Sequence, residues 1–171
     1  EFDTLEEVKE DIRNKKQEAN KLREERELEE AVLEGVCSNT EINIPEVMVE
    51  KEVDNMIRDL ETRLKYQGLD LEMYYKYTNN DEQKVREYMR ETSEKKVKAD
   101  LVISEIAKVE KVEAEEHEIM EKATEIAKQY SSDDIEKMAK VIFDSQKEYL
   151  KMQIVNEKVM KMLVDSSKII A

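Results

Sequence analysis

His117 is the only imidazole and Cys37 the only thiol in a chain of 171 residues. His117 lies in Glu113-Ala114-Glu115-Glu116-His117-Glu118, a strongly charged run. A zinc-protease helix needs a second His four residues on, and Glu121 stands there instead. A carboxylate di-iron bundle needs two Glu-x-x-His pairs, but residue 114 is Ala and no other His exists. A solvated imidazole among acids is therefore expected. A Cys37–His117 nucleophile pair would also need a third group to orient the base. Asn79-Asn80-Asp81-Glu82 resembles a calcium loop only loosely, because the Gly at position six and the 12-residue spacing are missing. Two isolated Gly cannot build a phosphate-cradling loop. Carboxylates are so numerous that chance pairs are guaranteed, so no catalytic pair can be inferred from them. The expectation is that these residues form no enzyme and hold no cofactor and no metal.

Composition narrows the class further. Charged residues make up 42% and aromatics 5%, with two Gly and one Pro. That supply of turn formers is too small for a compact sheet protein, so an all-α chain is expected. Lys and Arg number 29 against 43 Asp and Glu, a net charge of -14. This balance argues against nucleic acid, whose affinity comes mostly from cations neutralising phosphates, and against anionic lipid surfaces. No apolar run approaches the roughly 18 residues of a membrane span, so no membrane contact is expected. A lone thiol and the absence of a signal-peptide pattern at Glu1-Phe2-Asp3-Thr4-Leu5 make the cytoplasm the expected location. The start on Glu1 rather than Met is read as a piece of a longer protein.

The elements that would carry any function are helices. The first is expected from about Thr4 to Val36, capped by Asp3 or Thr4, with a stripe beginning at Leu5, Val8 and Ile12. Lys15 and Lys16 interrupt that stripe, and a helix polar around its middle usually bridges packed regions. Pro45 is expected in the first turn of the next helix, whose Val49, Val53, Met56, Ile57, Leu60 and Leu64 share one face. Gly68 should end it in the left-handed conformation. A short helix is expected over 70–77, then a capping box at Asn80 and Gln83 opening a helix from 81 to about 109. After a break near 110–113 comes a helix with Ile119, Ala123, Ile126 and Tyr130. Ser131-Ser132-Asp133 should stop it and cap its successor, and Asp144-Ser145 should lead into the last helix. About seven helices result.

Nine Met and clustered Tyr fall on stripes too thin to bury all of them. At helical spacing such residues are first of all core. Met is also the adaptable side chain of surfaces that accept many shapes, and a narrow hairpin leaves its tip short of neighbours.

The segment Glu41-Ile42-Asn43-Ile44-Pro45-Glu46-Val47-Met48-Val49-Glu50-Lys51-Glu52-Val53 resembles the bacterial trigger factor family. So does the opening Phe2-Asp3-Thr4-Leu5-Glu6-Glu7-Val8-Lys9-Glu10-Asp11-Ile12. The third matching segment is Lys95-Lys96-Val97-Lys98-Ala99-Asp100-Leu101-Val102-Ile103-Ser104-Glu105-Ile106-Ala107. The three occur in the family's order, and the resemblance covers essentially the whole chain. It implies the C-terminal chaperone domain: an elongated multi-helix domain with a helical body and two protruding arms forming an open cradle. Mapped here, a body or spine helix covers 1–40, arm one 45–109, arm two 113–143 and a closing body helix 145–166. The ribosome-binding and prolyl-isomerase domains of the family protein have no counterpart in these residues.

The resemblance implies an ATP-independent chaperone that binds unfolded and nascent polypeptides, with the ribosome a partner only through a domain missing here. The candidate client contacts on arm one are Val49, Val53, Met56, Ile57 and Leu60, with Leu69, Leu71, Met73, Tyr74 and Tyr77 at its tip. On arm two they are Met120, Ile126, Met138, Ile142 and Phe143. Weak self-association through the same apolar patches is a further expectation. The alternative is a structural helical bundle or coiled-coil adaptor for one defined protein partner, although the stripes stop at caps and do not persist over three or four heptads.

Overall fold

Thr4 opens the first helix by accepting a hydrogen bond at its Oγ1 from the Glu7 amide, 3.3 Å away. The computed structural model describes residues 4–130 and 134–168. These hold the helices α1 (Leu5–Ser38), α2 (Glu46–Tyr66), α3 (Leu71–Thr78), α4 (Glu82–Val109), α5 (Glu116–Tyr130) and α6 (Ile135–Ser166), with no strand among the described residues. The all-α expectation is met. The chain divides into two units, one of residues 1–36 and 106–171 and the other of residues 37–105. Positions 1–3, with the candidate cap Asp3, lie outside the described residues, as does the Ser131-Ser132-Asp133 stop.

Helix boundaries are set by identifiable local chemistry. Pro45 is the N-cap of α2 (φ -60, ψ 132) rather than a residue of its first turn, and it caps without a side-chain bond. At the other end Gly68 takes φ +73 while its amide bonds the Lys65 carbonyl and the Leu69 amide bonds that of Leu64. That pair of bonds is the Schellman stop. Asn79 (φ 53) ends α3 with the equivalent bonds to Lys76 and Tyr75, and Lys111 (φ 55) ends α4 with bonds to Lys108 and Ala107. The expected capping box at Asn80 and Gln83 does not form. Asp81 caps α4 instead, its Oδ1 accepting from the Lys84 amide at 2.8 Å, while the Gln83 amide group reaches Glu87. Asn79 is consumed by the α3 stop, and this shifts the cap register on by one.

No residue of α1 is buried, and residues 12–27 are exposed throughout. Lys15 and Lys16 therefore lie in a stretch that is solvated all round. Ion pairs along its own surface support it, including Lys15–Asp11 at 2.8 Å and Arg23–Glu27 at 3.6 Å.

Within residues 37–105, α2 and α4 run antiparallel, which is read from the order of their cross-pairs. Arg90 meets Glu46 and Glu50, and Arg86 meets Glu50 and Asp54. On the flank, Lys96 pairs with Glu52 at 2.5 Å. Val49, Val53, Leu64, Val85 and Val97 are buried here, with Ser93, whose hydroxyl lies 3.1 Å from the Met56 sulfur.

In the other unit α5 and α6 form a hairpin over one core: Ile119, Ala123 and Ala127 against Ala139, Ile142, Leu150 and Ile154. Three of these seven are Ala, which lets the helix axes come close. Asp134 caps α6 through the Lys137 amide. The two helices expected on either side of Asp144-Ser145 are present within the span of α6 and meet at a kink where Gln146 is non-helical (φ -128, ψ 16).

Candidate functional site

His117 pairs with Glu115 at 3.1 Å, and both side chains are exposed. Cys37 is half-buried, and burial pushes its thiol up against a smaller opposite pull from Lys98, so it is kept from the reactive thiolate form. Among the described residues no group of three or more His, Cys, Asp or Glu is placed to hold a metal ion. No helix among them is long and apolar enough to cross a membrane.

Charges are spent on holding helices together. Burial raises the Glu52 carboxyl, but hydrogen bonds from Lys96 and Asn55 outweigh it and leave the group below its ordinary range. Glu116 and Glu118 are likewise lowered, by hydrogen bonds from Lys147 and Lys158. Lys158 also donates to the Glu113 carbonyl at 2.8 Å, which ties the α4–α5 connection to α6.

The fifteen candidate client contacts separate by exposure. Val49, Val53 and Ile142 are buried and have no surface to give a partner, so they leave the candidate set. Ile142 belongs to the α5–α6 core, and Ile126 and Phe143 pack against that core. Met56, Ile57, Leu60, Leu69, Leu71, Met73 and Tyr74 are half-buried. Tyr77, Met120 and Met138 are exposed.

Several exposed apolar residues lie outside that set. Tyr66 closes α2 at 88% exposure and Tyr77 lies one residue before the end of α3 at 78%, so along the chain the half-buried residues of α3 fall between two open rings. Tyr74 and Tyr75 hold the cluster together, edge to face with centroids 6.1 Å apart. On α6, Val141, Tyr149 and Met152 are exposed beside Met138. Tyr66 carries a signal in the sequence, because it sits at a helix end two residues before Gly68.

A groove of about 450 Å³ opens between α2 and α4, lined by Met56, Asp59, Thr62, Arg63, Thr92 and Lys96. Mixed charge and one thioether give it no convergent set of catalytic groups. What the described residues offer is open apolar surface on charged helices, the surface of an all-helical domain.

Residues 4–165 match the family described as bacterial trigger factor protein (TF) C-terminus, and the chain belongs to that family. Over its whole length it is 92% identical to a trigger factor of Clostridium kluyveri and 58% identical to one of Clostridium botulinum, spanning 40% of each. A trigger factor of Clostridium tetani is 56% identical over 98% of this chain and 39% of its own length. The chain thus spans about 40% of the length of these curated relatives. A solved trigger factor structure from Thermotoga maritima shares the fold at a TM-score of 0.64 and 22% identity, with 98% of each chain covered. The family match is to the C-terminus, so the isomerase activity of the intact family protein is not assigned to these residues.

Proposed function

We propose that this chain is an ATP-independent chaperone domain that captures unfolded or nascent polypeptides on scattered apolar patches and releases them readily. The observation that carries the reading is the pair of open rings, Tyr66 and Tyr77, that flank the half-buried residues of α3 along the chain. Membership of the trigger factor C-terminal family supports it. The exposed residues of α6 supply a second patch in the other unit. The cradle of two arms, 45–109 and 113–143, is the arrangement in which both patches would face one client, and nascent clients place the action in the cytoplasm.

Covering one Leu, Ile or Met side chain contributes on the order of 1.5–3 kcal/mol before ordering costs are subtracted. Several such patches give avidity while each single contact stays brief. The net charge of -14 keeps a loaded complex soluble.

The test is suppression of aggregation of two unrelated denatured proteins by this chain without nucleotide, repeated with Tyr66→Ser and Tyr77→Ser together. The expected result is protection by the parent chain and weaker client binding by the variant, with melting scarcely changed. Binding of one folded protein, with no effect on denatured chains, would favour the adaptor reading instead.

A further inference from the structure

The connection between α1 and α2 reads as a strand, in a chain whose described elements are all helices. Thr40, Ile42 and Ile44 are β-branched and alternate with Glu41 and Asn43, the period-2 pattern that suits a pleated backbone. Residues 40–45 form no helix, turn or bend, and Pro45 is extended (φ -60, ψ 132). Proline also keeps the residue before it, Ile44, out of the helical region. The Thr40 amide donates to the Cys37 carbonyl at 3.1 Å, and the Met48 amide donates to the Pro45 carbonyl at 2.9 Å. Between those two bonds, the backbone groups of residues 41–44 have no hydrogen-bond partner among the described residues. The connections after α2, α3 and α4, by contrast, each close onto the preceding helix through backbone bonds.

We propose that residues 40–45 are a docking edge for an extended segment of unfolded polypeptide, which pairs with them as a second strand. This mode of capture rests on the chaperone reading above and names how one class of client segment is held. Successive residues of a strand direct their N–H and C=O groups to opposite edges. Ile42 and Ile44 therefore serve one edge, and Glu41 and Asn43 the other. Ile44 is half-buried, whereas Glu41, Ile42 and Asn43 are exposed. Exposed Val47 and Met48 follow in the first turn of α2, so apolar side chains adjoin the free backbone along the chain. Main-chain bonds are blind to side-chain identity, which suits a surface that takes many clients. A lone strand has no neighbour to satisfy it, and the client supplies one.

The occupant follows from this chemistry. Pairing needs an amide and a carbonyl at strand spacing, so the partner is extended and free of proline over about five residues. Its favoured side chains are β-branched or aromatic, the types that pair well across strands. In a folded protein the same backbone groups are already bonded to one another, so the edge separates unfolded chains from native ones through the backbone alone. A second copy of this chain is the poorer partner. Glu41 lies within the edge, and a net charge of -14 sets copy against copy. Pro45 has no amide to donate and ends the edge.

The experiment adds an unstructured peptide of alternating Thr and Val, with a Lys at each end, to the whole chain and follows amide exchange at residues 41–44. The expected result is slowing by about tenfold or more on one alternate pair, Ile42 with Ile44 or Glu41 with Asn43. A second peptide carries N-methyl groups on two adjacent central residues, which keeps every side chain and blocks pairing on both of its edges. It should bind about tenfold or more weakly. On the protein side, Asn43→Pro removes the amide of one edge, and Ile42→Pro that of the other. At least one of the two should weaken binding of the plain peptide while helical circular dichroism is retained. Equal affinity for the two peptides overturns the inference, as does binding that leaves exchange at 41–44 unchanged. Slowing that grows with chain concentration in the absence of peptide also overturns it, since the partner is then a second copy. A chain that suppresses aggregation of denatured proteins yet leaves residues 41–44 unprotected fails this inference alone and keeps the chaperone reading.

Discussion

Arg86 on α4 reaches Asp54 on α2 at 2.6 Å, and the same guanidinium lies 3.2 Å from Glu50. Arg90, one turn further on, takes Glu50 and Glu46 in the same way. Two cations are thus interleaved with three carboxylates across the α2–α4 seam.

Arg86→Met should lower the urea midpoint of residues 37–105 modestly, because the pairs are partly exposed and such pairs are weak. Salt should shrink the difference from the parent chain, since screening already discounts the network. Urea titrations at low and at molar salt check this, and an equal difference in both would assign the effect to lost packing.

Glu52 is lowered because hydrogen bonds from Lys96 and Asn55 outweigh the opposing effect of burial. A carboxyl lowered in the folded state gives stability that is present above its unfolded value and lost as pH falls through its folded value. Glu52→Gln should therefore flatten the acid side of the stability profile below the ordinary glutamate range. Lys96 is raised, chiefly by the same bond, so its share fades at the alkaline end. Denaturant midpoints measured across acid and alkaline pH test both slopes.

The two glycines should answer Ala substitution with opposite signs. Gly35 lies inside α1 with nothing within 4 Å of an added Cβ, so Gly35→Ala should stabilise by about 0.5–1 kcal/mol. Gly68 has the same open space but φ +73, so Gly68→Ala should cost about 1 kcal/mol. Lys111→Gly should gain a similar amount at its left-handed position (φ 55). Thermal melts of the three variants decide the signs.

Two residues one step apart on α6 should behave as opposites. Leu150 is fully buried, and Leu150→Ala should cost about 2–5 kcal/mol. Tyr149 is exposed, and Tyr149→Ser should stay within about 0.5 kcal/mol while reducing client affinity. A large loss of stability from Tyr149→Ser would place that ring in the core.

Helix ends were readable in the sequence where one residue alone could do the job, as Gly68 does at the stop of α2. They were not where neighbours competed. Asn79, Asn80 and Asp81 are all able to cap, and the register followed from which of them α3 used first. The candidate surface was less legible still. Periodicity puts Val49 and Val53 on one face with Met56, but it does not say that the first two are covered and the third only half so. Tyr88 shares the stripe of Val85 on paper, yet Val85 is buried and Tyr88 open. A helix knows its own faces, but burial is decided by a partner that is distant in the chain.

Residues 37–105 interrupt the other unit, whose two portions are 1–36 and 106–171. During synthesis the inner unit emerges complete while its host still lacks the second portion. Its contacts are comparatively local, and α5 with α6 is local again, whereas bringing residues 1–36 together with residues 106–171 means closing a long loop, which is slow in proportion to its entropy. If the inner unit folds first, that loop becomes a fixed span. Inside before outside is therefore the expected order of assembly, and a lesion in residues 37–105 should appear as slow maturation of residues 1–36 and 106–171.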